Sequence, residues 1–147
     1  MKIILYQPEI PQNTGNIIRT CSATGGELLL VPPYKFSLSS RHLKRSGLDY
    51  YSDVNITEID DLEKYLSATD SNFYFFSSHA TTKYTDVSYN SNDILIFGSE
   101  TKGLPQHYFT TWPDRFVTIP MKKKCRCLNL SNSVAVSIYE VIRQTNA

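Results

Sequence analysis

The sequence predicts an α/β fold, a mostly parallel sheet flanked by helices, formed as one domain over residues 1–147. Three observations carry that expectation. The strand-like runs are continuously apolar rather than alternating, as strands buried on both faces must be. Segments of helical spacing separate them, which is the pattern of strands joined by crossover helices. A length of 147 residues with 41% hydrophobic and 20% charged composition suits one ordinary globular core.

Taken in order, Lys2–Tyr6 is a β-branched and aromatic run stopped by Pro8 and Pro11, a first strand. Asn13-Thr14-Gly15 reads as a turn and cap ahead of a helix through Ile17, Ile18, Cys21 and Thr24, closed by Gly25-Gly26. Leu28–Val31 is a second strand, ended by Pro32-Pro33. Ser39 or Ser40 caps a basic helix through Arg41, Leu43, Lys44 and Arg45, ended at Gly47. Thr57-Glu58-Ile59-Asp60 resembles a capping box and predicts a helix with Ile59, Leu62, Tyr65 and Leu66 on one face. Asn72–Phe76, Ile94–Phe97 and Phe116–Ile119 are further strands. From Ser131 a last helix buries Val134, Ile138, Val141 and Ile142, leaving Val136, Tyr139 and Arg143 on another side.

Composition excludes several classes. Fifteen Lys+Arg against fourteen Asp+Glu give a net charge of +1, so a nucleic-acid surface has to be a local patch. No apolar run approaches the ~20 residues that cross a bilayer, and the chain's opening residues turn polar at Gln7-Pro8-Glu9, too soon for a signal peptide. Three cysteines do not suggest a disulfide framework, so a cytoplasmic protein with reduced thiols is expected. Cys125-x-Cys127 lacks a second ligand pair at zinc-like spacing, and no metal is expected. Neither a phosphate loop nor a Gly-x-Gly-x-x-Gly fingerprint is present, since Leu104-Pro105 stands where Lys and Ser/Thr are required.

Chemistry in such sheets gathers beyond the carboxyl ends of strands, and three of those ends carry unusual polar sequences. Asn13-Thr14-Gly15-Asn16 opens a helix that holds Arg19 on its first turn or two, with backbone N–H groups suited to an anionic or carbonyl partner. Phe97-Gly98-Ser99-Glu100-Thr101-Lys102-Gly103 is a polar loop between glycines that permit close backbone approach. Pro120–Ser133 carries four cations in five residues and then Leu128-Asn129-Leu130-Ser131, a basic loop that phosphates attract, followed by capping groups.

Together, in this order and on these strands, the three segments resemble the SPOUT class of RNA methyltransferases. They are most similar to its small single-domain TrmL (YibK-like) branch, the tRNA (cytidine/uridine) 2′-O-methyltransferases. The likeness spans nearly the whole chain, and Arg45-Ser46-Gly47-Leu48-Asp49-Tyr50 resembles a segment of that branch. The resemblance implies a C-terminal trefoil knot, a rare exception to unknotted topology, and a homodimer. It also implies methyl transfer from S-adenosylmethionine to the ribose 2′-OH of wobble cytidine or uridine, in leucine tRNAs. By position it assigns Phe76, Gly98, Ile119, Met121, Cys127 and Leu128 to the cofactor pocket. Glu100, Asn129 and Ser131 match polar active-site positions, and Arg19 and Tyr139 match residues of substrate positioning or catalysis. Cys127 stands where the family usually has serine, and Lys102 where it often has arginine; a thiol is the weaker donor, and lysine lacks the planar fork.

For tRNA, with its anticodon loop as the target, the expected surface is Arg41, Lys44, Arg45, Lys102, Lys122, Lys123, Lys124 and Arg126. Neither DNA nor membrane is an expected partner. A non-catalytic RNA-binding module on the same fold is the alternative, separated by whether the chain holds the cofactor. An unrelated nucleotide-binding enzyme is a second alternative, which the missing fingerprints disfavour.

Overall fold

The computed structural model describes residues 1–38, 52–122, 124–125 and 127–146. Six strands form one parallel sheet: β1 (Lys2–Tyr6), β2 (Glu27–Val31), β3 (Ile56–Glu58), β4 (Phe73–Phe76), β5 (Ile94–Phe97) and β6 (Phe116–Val117), in the order β3-β2-β1-β5-β4-β6. Among the described residues four α-helices cover it: α1 (Pro11–Thr24), α2 (Leu62–Ser67), α3 (Gln106–Thr111) and α4 (Leu130–Thr145). The expected α/β architecture is present.

Strand side chains alternate between the two faces. Ile3, Leu5, Leu28, Leu30, Leu95 and Phe97 meet Ile17, Ile18 and Cys21 of α1 and Val134, Ile138 and Val141 of α4. On the other face, Ile4, Phe75, Ile94 and Ile96 meet Leu62 and Leu66 of α2 and Tyr108 of α3. The central strands are therefore buried on both sides, which is why they read as unbroken apolar runs. Burial pushes the Cys21 thiol up to about 12, so it stays a protonated packing group.

Four expectations need correction. Helix α1 starts at Pro11, so Asn13, Thr14 and Gly15 are buried helix residues and not a turn. Proline fits there because a first-turn N–H has no helical partner to lose. As expected, the helix ends where Gly25 takes the left-handed conformation. Thr57 lies in strand β3, hydrogen-bonded beside β2, and the helix behind it is capped by Asp61, whose carboxylate accepts from Lys64 N at 3.0 Å. Asp61 satisfies the same capping chemistry four residues later, while Ile56 and Thr57 suit the pleated edge of the sheet. Strand β6 stops at Val117, because Thr118 leaves β4 to exchange backbone bonds with Thr82 and Tyr84. Asn72 precedes β4. The basic helix expected over residues 39–47 and the segment 45–50 lie outside the described residues.

Candidate active site

Past the carboxyl ends of β4, β5 and β6 lies a cavity of about 490 Å³. Phe76 closes β4 and stacks on Phe97 of β5 with ring centroids 4.7 Å apart; Ile119 follows β6, and the segment before α4 forms the facing wall. All six residues expected around the cofactor, Phe76, Gly98, Ile119, Met121, Cys127 and Leu128, line this space.

The glycine loop is shaped by one close approach. A Cβ on Gly98 would stand 2.2 Å from the Gly103 carbonyl carbon and 2.6 Å from Leu104 N, so no other residue fits without moving backbone. Ser99 and Gly103 exchange backbone bonds (2.9 and 3.2 Å) across the turn, and Gly103 takes positive φ. The tip of that turn presents Glu100 and Thr101 to the segment entering α1. Glu100 accepts from Glu9 N (2.8 Å), Ile10 N (3.1 Å) and Asn13 Nδ2 (3.1 Å), while the Thr101 hydroxyl donates to the Glu9 carboxylate. The anionic partner expected at this helix start is thus supplied from inside the chain.

Asn13 continues the connection, its Oδ1 accepting from Asn129 Nδ2 at 2.9 Å. Asn129 caps α4, accepting at Oδ1 from Ser131 N (2.9 Å) and the Ser131 hydroxyl (2.6 Å). Three motifs far apart in sequence meet through these side chains. Glu100 and Asn129 also line the cavity; Ser131 is buried behind it.

Arg19 and Tyr139 stand elsewhere. Arg19 is the ninth residue of α1, in its third turn rather than the first or second, and is exposed outside the cavity lining. Tyr139 is 56% exposed on α4 beside Val136 at 40%. Both are exposed residues of the packed α1–α4 pair. Lys102 is exposed at the cavity rim, and Lys122 and Lys124 are exposed beyond it. Arg41, Lys44, Arg45, Lys123 and Arg126 lie outside the described residues.

Sequence reading missed Ser77, Ser78, His79, Thr118, Gln106 and Phe109, which also line the cavity. The first three follow β4, so the strand-end rule applied to that strand finds them. Phe109 has no such signal; it reaches the cavity while stacking on Phe116 with ring centroids 3.8 Å apart.

The sequence profile of the SpoU rRNA Methylase family matches residues 1–139. The chain belongs to that family. A relative from Methylovorus glucosotrophus, named tRNA (cytidine(34)-2′-O)-methyltransferase, is 43% identical over 97% of this chain and 94% of its own. A solved structure described as giving insight into 2-OH methylation of C/U34 on tRNA superposes with a TM-score of 0.90 at 39% identity, covering 97% of this chain and 94% of that one. The SpoU methyltransferase AviRb from Streptomyces viridochromogenes, solved with AdoMet, shares the fold at a TM-score of 0.85 and 22% identity, over 98% of this chain and 57% of that one.

The cavity suits a nucleoside-type cofactor on its own chemistry. Its volume lies in the range of about 300–1,000 Å³ usual for small-molecule sites. Phe76, Ile119 and Leu128 offer apolar flanks, and the loops carry backbone groups not tied into strands. Among the described residues no group of three or more His, Cys, Asp or Glu is placed to hold a metal. No described helix is long and apolar enough to cross a membrane.

Proposed function

We propose that this chain is an S-adenosylmethionine-dependent tRNA 2′-O-methyltransferase acting in the cytoplasm on the wobble cytidine or uridine, with leucine tRNAs as substrates. What supports this most is the convergence of all six expected cofactor residues on one cavity at the strand ends. The names carried by relatives near 40% identity over almost the whole chain point the same way.

When bound, S-adenosylmethionine supplies a methyl group activated by its sulfonium. Transfer forms a carbon–oxygen bond on the ribose as the carbon–sulfur bond breaks, and the 2′-OH proton leaves. The chain's task is mainly placement, which in well-oriented systems supplies about 7–11 kcal/mol. Phe76 and Leu128 hold the flat base, and loop backbone groups read its edge. Cys127 contributes through its backbone rather than as a strong side-chain donor. Arg19, always protonated, stabilises the developing alkoxide or clamps the neighbouring phosphate and does not act as a base. Tyr139, Ser131 or water takes the proton.

Arg19 faces out of its own cavity, so this reading needs a second copy. Ile10, Leu128, Val136 and Tyr139 are the exposed large apolar groups among the described residues; the first two border the cavity and the others lie along α4. Two chains paired through this surface bring Arg19 and Tyr139 of one against the cavity of the other. Such a homodimer also doubles a modest basic surface. The cavity-side chain after β6 is gripped by the β4–β5 connection through Thr118, Thr82 and Tyr84 before it reaches α4, which supports the trefoil knot.

The test is incubation of the purified protein with isotopically labelled S-adenosylmethionine and tRNA from cells lacking the gene. Label entering tRNA and surviving as a 2′-O-methylnucleoside after digestion is expected. Cofactor binding without label in any tRNA refutes the substrate class; absence of both refutes the enzyme.

A further inference from the structure

Helix α1 has an unusual start. Its N-cap position is Ile10, which has no capping side chain, and its first turn holds no acidic residue. The two amides that enter the helix, Glu9 N and Ile10 N, are instead held by Glu100, a side chain ninety residues further along the chain. A carboxylate there also meets the positive end of the helix dipole. The cap of α1 is therefore borrowed from the wall of the cavity.

The polarity of the connection is set at both ends, by the Glu100 carboxylate and by the Ser131 and Asn132 backbone N–H groups that donate to Asn129 Oδ1. An ionised carboxylate only accepts, so Asn13 must turn its NH2 to Glu100 and its oxygen to Asn129. Asn129 must then donate with its nitrogen and accept from the Ser131 amide and hydroxyl with its oxygen. Asn13 is 5% exposed and Ser131 8%, so neither reorients freely into water. Glu100, Asn13 and Asn129 all line the cavity. Whatever steadies the cavity walls steadies the start of α1, the helix that carries Arg19.

We propose that Glu100 is a positioning residue that couples occupancy of the cofactor cavity to the setting of α1 through Glu9, Ile10 and Asn13. The proposal rests on the methyl-transfer reading for its catalytic consequence. Glu100 does not touch the reacting atoms; its oxygens are occupied by the helix entry. In Glu100→Gln the shape is kept, but an NH2 replaces one acceptor and opposes one of the two backbone donors. Asn13, still oriented through Asn129 by the Ser131 N–H, then shares the one remaining amide oxygen with a backbone donor or loses its acceptor.

The experiment compares wild type and Glu100→Gln by hydrogen exchange at the amides of Glu9, Ile10 and Asn13, with and without S-adenosylhomocysteine, alongside nucleoside affinity and turnover. In wild type the nucleoside slows exchange at these amides by about tenfold, an ordinary size for coupling between sites. In Glu100→Gln it binds with affinity within about threefold of wild type and gives no such slowing, while turnover at saturating cofactor falls about tenfold with cofactor KM unchanged. Thr101→Ala, which removes only the hydroxyl link to Glu9, keeps the slowing and shows that the carboxylate matters rather than the turn alone.

Equal slowing in Glu100→Gln and wild type overturns the proposal and leaves the methyl-transfer reading standing. Loss of nucleoside binding in a folded Glu100→Gln also overturns it, because Glu100 then belongs to the cofactor site itself. If wild type couples as described but methylates no tRNA, the functional reading fails and the positioning role stands.

Discussion

On one face of the sheet α1 and α4 pack through Ile17, Ile18, Cys21, Val134 and Ile138. On the other, α3 packs through rings: Phe75 stacks on Phe116 at 4.8 Å, on Tyr108 at 5.5 Å and on Trp112 at 5.6 Å between centroids. Part-buried polar bonds run through the cavity end of the first face, from Glu100 through Asn13 to Asn129 and Ser131. The second face is held by apolar contact. The comparison teaches a division of labour. Ring packing is tolerant of direction and supplies stability, whereas polar side chains fix direction and belong where atoms have to be placed.

The largest effect expected is on the aromatic face. Phe75 is fully buried, so Phe75→Ala should cost about 3–5 kcal/mol of stability. Thermal or urea unfolding measures this, and in the fraction that stays folded nucleoside affinity should hold near the wild-type value. A large loss of affinity at full folding breaks the division. On the other face, Arg19→Ala should lower turnover by about 10²–10³-fold, the range for losing one electrostatic stabiliser. Cofactor affinity and melting temperature should stay near wild type, and equal loss of affinity and turnover contradicts the assignment.

A smaller effect concerns RNA. Affinity for tRNA should fall linearly in log–log form with added salt, and Lys122→Ala should reduce the slope by about 0.7, the contribution of one single-strand phosphate contact. An unchanged slope removes Lys122 from the surface. The smallest effect sharpens the comparison inside α4. At its far end Glu140 accepts two bonds from Arg143 (2.8 and 2.7 Å) and one from Gln144 (2.7 Å). The Arg143 hydrogen bonds hold the Glu140 carboxyl below its ordinary value. A carboxylate lowered on folding stabilises the native state above its unfolded pKa, and that contribution is lost as pH falls through the folded one. Glu140→Gln should therefore flatten the acid limb of a stability–pH curve and leave turnover at neutral pH unchanged, since this cluster lies outside the cavity.

Much of this was legible in sequence because parallel strands advertise themselves. Phe73–Phe76 and Ile94–Phe97 are unbroken apolar runs, and α4 shows its buried face at Val134, Ile138 and Val141. Strand-end logic together with the resemblance also picked six residues that line one cavity. Local rules failed where distant partners decide. Thr57 looks like a cap until β2 offers it a strand to join. Asn13-Thr14-Gly15 looks like a turn because nothing local reveals that Glu100 will cap the helix from two residues earlier. The roles of Glu100 and Asn13 were invisible for the same reason, since their bonds span 87 to 116 residues. Arg19 sits further along its helix than the polar signature at Asn13 suggests, because the helix begins at Pro11.

The most direct test of the central claim is to locate the methyl group by nuclease digestion and mass spectrometry of tRNA methylated in vitro. A single 2′-O-methyl on the wobble cytidine or uridine of leucine tRNA, lost with Arg19→Ala, is the predicted result. Methylation of a base, or of a ribose elsewhere in the tRNA, contradicts it.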